Sequence, residues 1–279
     1  MSGAAFVLAF TAAWLHAGGN VFLGRRREPE AAVALMLLVG VVAFAPVAAL
    51  TWRVEAGAIP YIVASAILEL GYFAFLAAAY RAADVGLVYP VARGSAPVLA
   101  LLGAVVLLGD STSAGQIAGV VAVTLGILLV CGVGVADASS DRGGVALALA
   151  TAVFIAGYTL VDKEGLQHAA PIPYIELVLI GPAFVYGAFV ARTRGTAALR
   201  GEATPRLALV GLLLFATYVL VLLALREAPA ASVSAVRETS VVIATVLAAL
   251  TAHQRLRRDR LAGASLVALG VALVALAGS

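Results

Sequence analysis

Ten blocks of about twenty apolar residues, set apart by short polar breaks, leave this chain few folds to choose from. A helix that crosses a hydrocarbon core of ~30 Å needs about that many residues. In lipid the backbone must satisfy its own hydrogen bonds, which only helices and closed barrels achieve. The alternating ten-residue segments of an outer-membrane barrel are absent, so the blocks read as helices. They fall at 4–23, 31–51, 58–80, 86–108, 113–136, 144–163, 172–191, 205–226, 230–251 and 260–278. Clear breaks lie at Arg25-Arg26-Arg27-Glu28, Asp137 to Arg142, Arg192 to Arg206 and His253 to Arg260. No linker is long enough to separate soluble domains. The first block follows no basic leader and is long for a signal-peptide core, so it is read as a span.

Composition agrees. Of 279 residues, 63% are hydrophobic and only 12% charged. An average soluble domain is about a quarter charged, so a lipid bilayer is the solvent this surface fits. The net charge of +3 does not point to nucleic acid, because the arginines gather in short loops. Loops after odd-numbered spans carry thirteen Lys or Arg and loops after even-numbered spans carry three, Arg53, Lys163 and Arg226. That bias predicts a cytoplasmic odd-loop face with both termini on the even-loop face, outside. The expected location is a bacterial-type inner membrane. Cys131 has no partner in the chain and is expected to be a small buried residue.

The two halves of the chain echo one another. Ala79 to Val130 reads AYRAADVGLVYPVARGSAPVLALLGAVVLLGDSTSAGQIAGVVAVTLGILLV, and Ala224 to Leu276 reads ALREAPAASVSAVRETSVVIATVLAALTAHQRLRRDRLAGASLVALGVALVAL. An offset of 144 places Arg93 on Arg237, Gly119 on Gly263 and Gly126 on Gly270. Five spans per half would give the halves opposite orientations, an arrangement found in alternating-access transporters with sites near the midplane. The expected repeats are 1–138 and 143–279, forming one transport unit.

These paired segments resemble the drug/metabolite transporter superfamily and, within it, the EamA family. The resemblance covers essentially the whole chain. It implies an all-α integral membrane fold of ten helices, arranged as two inverted five-helix repeats around a central cavity. It also implies movement of a small polar solute, amino-acid-like or anionic, without ATP, most naturally as an exporter. One departure stands out: Asp110 follows the fourth span, but its second-half counterpart reads His253-Gln254-Arg255.

Charges at membrane depth are costly, at least ~2.5–3.5 kcal/mol on insertion scales, and face cavities or partners. Glu69, Arg93, Arg237 and Glu238 are such charges. Arg93 lies nine residues past Asp84, roughly 13 Å along a helix, and Glu69 twelve before Arg81, roughly 18 Å. An Arg93–Glu69 meeting is therefore expected, with Arg237 beside a neighbouring acid and the two arginines flanking the cavity. Two guanidinium forks suit a carboxylate or phosphate. The competing reading is a pair of fixed structural ion pairs. Glu69 or Glu238 is a candidate carrier for a coupling proton.

Arg93 and Ser95 sit between Pro90 and Pro97, with Tyr89 just before them, and the two prolines are expected to bend or break the fourth span. Tyr89 is a candidate wall residue, and Tyr72, three after Glu69, a candidate cap for its carboxylate. Ser234, with Ser232, Thr239 and Ser240, is the polar offering of the ninth span. His16 and Asn20 share one helical face, as do Tyr158 and Asp162. Asp162 is expected to pair with Lys163 at the interface, and Glu176 to be solvated. Gly115 and Gly119, with Gly126, Gly263 and Gly270, permit close helix approach within the bundle or across a homodimer. No Walker A motif, metal-binding pattern or nucleophile elbow is present, so neither a cofactor nor catalysis is expected. A membrane-embedded enzyme or flippase acting on a lipid-linked phosphate, clamped by the arginines, is the rival reading.

Overall fold

The computed structural model describes residues 1–23, 25–132, 141–251 and 258–277. Twelve α-helices follow in order: α1 (Gly3–Leu23), α2 (Pro29–Leu50), α3 (Ile59–Ala82), α4 (Val85–Leu107), α5 (Ala114–Cys131), α6 (Arg142–Gly165), α7 (Pro171–Thr193), α8 (Thr196–Glu202), α9 (Pro205–Glu227), α10 (Ala230–Arg237), α11 (Thr239–Thr251) and α12 (Arg258–Ala277). Ten segments are long and apolar enough to cross a membrane, with α10 and the start of α11 acting as one span. The chain is an all-α, multi-pass membrane protein. The large side chains on its outside fit that solvent. Val42, Phe184 and Leu269 are all more than half exposed at mid-helix, where lipid would meet them.

Local chemistry sets the helix ends. Pro29, Pro171 and Pro205 open their helices at positions where an amide would lack a partner. Ser113 and Gln116 close a reciprocal capping box at the start of α5, and Thr204 accepts from the Leu207 amide at the start of α9. Gly132 ends α5 at φ +73°, a conformation cheap only for glycine.

Most of the tight helix pairs join one half of the chain to the other. α5 packs along α12, α3 and α4 along α6, α2 along α7, and α1 along α9 and the α10–α11 span. The α5–α12 seam explains its glycines. A Cβ added to Gly119 would stand 2.7 Å from the Gly270 carbonyl oxygen, and one added to Gly263 would stand 2.8 Å from that of Gly126. The small-residue spacing is thus consumed inside the bundle.

The loop after α2 and the loop after α6 pair through Glu55 N to His168 O (2.9 Å) and Ala170 N to Arg53 O (2.8 Å). These close the even-loop face. The Met1 ammonium donates to the Ala275 carbonyl, so both ends of the described chain lie on that face. On the odd-loop face, Arg194 Nε meets Glu30 at 2.8 Å and Arg26 meets Glu202 on the short helix α8.

Several expectations change here. α4 runs unbroken through Pro90 and Pro97, and the Gly94 carbonyl accepts from Thr124 Oγ1 of α5 at 2.8 Å instead. The interruption falls in the ninth span, at Glu238. The loop expected between the seventh and eighth spans holds α8. Cys131 is half-buried. Glu176 is buried, not solvated, and its Oε2 has no hydrogen-bond partner. The His253-Gln254-Arg255 segment lies outside the described residues.

Candidate functional site

The polar core is built from four-residue spacings on antiparallel helices. α1 presents His16 and Asn20 on one face, and α4 presents Arg93 and Tyr89 in the opposite direction. Arg93 Nη2 lies 2.7 Å from His16 Nε2, and Asn20 Nδ2 donates to the Tyr89 hydroxyl at 2.9 Å. A guanidinium has no acceptor, so His16 accepts at Nε2 and carries its proton on Nδ1. Arg93 also rests over the ring of Tyr89, 5.8 Å from its centroid.

Arg93 and Arg237 converge on one oxygen. Arg93 Nη1 donates to Glu238 Oε1 at 3.1 Å, while Arg237 donates to the same atom from Nε (3.3 Å) and Nη2 (3.2 Å). Arg237 further reaches the Tyr158 hydroxyl at 3.4 Å. Glu238 is fully buried at the break between α10 and α11, and its second oxygen, Oε2, has no partner. The break in the span therefore seats a carboxylate between two arginines that enter from opposite faces. Removing one partner from such a buried cluster typically costs ~3–5 kcal/mol.

A cavity of about 450 Å³ runs from this cluster to the odd-loop face. Its deep end exposes Arg93, His16, Tyr72 and Tyr218, and its mouth is ringed by Glu30, Arg81 and Arg194. Between them the walls are apolar or aromatic, with Leu37, Leu76, Phe73 and Phe215 prominent.

Among the residues expected at the site, His16, Asn20, Tyr72, Tyr89 and Arg93 line this cavity. Arg237, Glu238, Glu69, Tyr158 and Ser234 do not; they are buried behind Arg93. The expected Arg93–Glu69 pair is not made, because Glu238, delivered by the broken span, occupies Arg93 instead. Tyr72 makes no bond to Glu69 and sits edge-on to Tyr158, with centroids 6.2 Å apart. Asp162 does not pair with Lys163. It accepts from Ser65 and Tyr174, while Lys163 Nζ donates to the Ala228 carbonyl at 2.9 Å. Ser234 Oγ and Ser240 Oγ are buried without partners, and Thr239 bonds back to the Val236 carbonyl.

Tyr80, Tyr186 and Tyr218 were missed. A signal existed: the chain has eight tyrosines, and five of them line the cavity, so a tyrosine inside an apolar span was itself a pointer.

An all-α bundle of ten candidate spans with a cavity at its centre defines a polytopic membrane protein. Residues 142–276 match the EamA-like transporter family. The resemblance read from the paired segments is thus met by sequence in the second half of the chain. A crystal structure carrying no functional description superposes over 99% of this chain and 98% of its own, with TM-score 0.76 and 17% identity. At that identity the likeness speaks for the fold alone. No curated protein matches the sequence.

Proposed function

We propose that this protein is a secondary transporter that moves a small solute with an anionic group by alternating access between two inverted repeats. Arg93 carries the reading. It is a buried cation exposed at the deep end of a cavity that is otherwise aromatic and apolar, and its counter-charge is a protein carboxylate that a solute carboxylate or phosphate can replace. Glu238 then holds the clamp between solute visits. The tyrosines offer hydroxyls and ring faces to the rest of the solute, which suits an amino-acid-like or aromatic organic anion.

The inversion is supported by the pattern of helix pairs. α3 on α6 in one sense corresponds to α9 on α1 in the other, and α5 on α12 and α2 on α7 correspond to themselves. If the arginine-rich odd-loop face is cytoplasmic, the cavity is open inward, a state from which an exporter loads.

The test is thermal stabilisation of the purified protein against amino acids, organic acids and phosphorylated metabolites. A ligand at 100 times its Kd stabilises by ~2.7 kcal/mol. Stabilisation by an anion that disappears in Arg93→Gln supports the reading. The same hit unchanged in folded Arg93→Gln removes the anion clamp from the mechanism.

A further inference from the structure

The arginine cluster is not the only buried charge in the core. Asp162 sits one turn from the even-loop end of α6, buried, with Oδ1 accepting from Ser65 Oγ and from the Tyr174 hydroxyl at 3.0 Å. Ser65 and Glu69 are one turn apart on α3, and Asp162 and Tyr158 one turn apart on the antiparallel α6. The Ser65–Asp162 bond therefore sets Glu69 beside Tyr158, a register that the Tyr72–Tyr158 ring contact repeats. Glu69 is 1% exposed, its Oε2 has no hydrogen-bond partner, and it lies within electrostatic range of Asp162.

Neither acid has an ion pair among the described residues. Arg93 and Arg237 are committed to Glu238, and Lys163 gives its ammonium to the carbonyls of Leu225 and Ala228. The other polar groups facing the pair are Tyr72 from α3, Tyr158 from α6, Tyr174 from α7 and Tyr218 from α9. From α1, His16 faces Arg93. With both arginines on Glu238, Glu69 and Asp162 are two buried carboxylates within electrostatic range of one another and without an ion pair of their own; Glu176 on α7 is a further buried acid. An uncompensated charge at this depth is expensive, and one proton held between Glu69 and Asp162 removes half of theirs.

We propose that Glu69 and Asp162 form a site for one proton, separate from the arginine clamp, to which solute movement is coupled; the coupling rests on the transport reading above. The two acids divide the depth of the closed half. Glu69 lies one turn behind Tyr72 of the cavity wall, and Asp162 lies one turn from the even-loop face. The one proton held by the pair would be exchanged with one face in this state and with the other when the bundle opens the other way, and so would cross as part of the solute cycle.

The proton itself is the probe. Infrared difference spectra of the full chain in lipid vesicles, stepped from alkaline to acidic buffer, should contain a protonated-carboxyl C=O band. Glu69→Gln should abolish or at least halve it. Asp162→Asn should do the same, and Glu55→Gln, at the exposed loop, should leave it alone. Ser65→Ala, which keeps both acids and removes one donor, should move the band without removing it, and it serves if Asp162→Asn does not fold. A band that survives Glu69→Gln at full height and does not move in Ser65→Ala overturns the proposal. The spectrum needs no solute, so a null ligand panel on Arg93 and a failed proton site are told apart.

Discussion

Arg93 on α4 and Arg237 at the end of α10 share one carboxylate, yet they live in different surroundings. Arg93 looks into the cavity, with His16 and Tyr89 around it. Arg237 is sealed behind it, over the ring of Tyr158 and on the same Glu238 oxygen. The difference extends outward from each arginine. Beyond Arg93 toward the odd-loop face lie Tyr89, Tyr80 and open volume. Beyond Arg237 toward the even-loop face lie buried Val233, Leu225 and Leu160 and the hydroxyl-bound Asp162. One residue repeated in two settings implies that its place near the centre is held by the architecture, while its job is set by the helices that happen to be packed or parted around it.

The shared carboxylate is where this comparison is most exposed. Glu238→Ala should leave two buried guanidinium groups facing one another, costing ~3–5 kcal/mol. Thermal or denaturant unfolding of the purified protein measures it. A loss under 1 kcal/mol would mean that each arginine has its own counter-charge and that the two are not a unit.

Replacing the arginines one at a time separates their roles. Arg93→Gln should remove most of the stabilisation by an anionic ligand, a loss of ~1.5–3 kcal/mol in binding, as expected for a hydrogen bond to a charged group. Arg237→Gln should weaken binding less, because its guanidinium is not on the cavity wall, while lowering the melting temperature more. Equal binding losses would place the solute between the two arginines, in a state other than the one seen here.

Much of this was legible in the sequence, for physical reasons. Span positions follow from the length of apolar blocks, and the deep arginines from the cost of charge in lipid. The register of His16 with Asn20 came from helical spacing alone. What failed was partner choice. Glu69 and Glu238 lie at similar depth on the sequence, and no count of residues from a loop reveals that the chain breaks at Glu238 and swings that carboxylate to Arg93. The prolines of α4 pointed to the wrong span for the break. The helix runs on through Pro97, and Thr124 from a neighbouring helix bonds the Gly94 carbonyl just before it, a contact that is tertiary. Position near a span end misled at Glu176, which is expected to be solvated but is buried, and at Asp162, which is expected to pair with Lys163 but is held by Ser65 and Tyr174.

Access from either face tests the open and closed halves directly. In a Cys131→Ala background, Tyr80→Cys should react with a membrane-impermeant thiol reagent added on the odd-loop side. Leu160→Cys and Val233→Cys should resist reagent from both sides until the bundle opens the other way. With alternating access, an anionic ligand that traps one state should change the two labelling rates in opposite directions, by severalfold. Rates that rise together would indicate local opening in place of exchange between two states.

Lys163 offers the subtlest distinction between the halves. Its ammonium binds the carbonyls of Leu225 and Ala228 at the C-terminal end of α9, where helix carbonyls lack partners and the helix dipole favours a cation. On the other face, the C-terminal end of α3 at Arg81 stands at the cavity mouth. Lys163→Met keeps the aliphatic stem and removes the charge, so it should cost about 0.3–1 kcal/mol of stability, the worth of a cation at a helix C-terminus. Its larger consequence is conformational: the cap ties α6 to α9 on the closed face, and its loss should raise the labelling of Val233→Cys from the even-loop side. A variant that is destabilised without any gain in labelling would make Lys163 a helix cap and nothing more, leaving closure of that face to the Glu55–His168 and Arg53–Ala170 loop pairing.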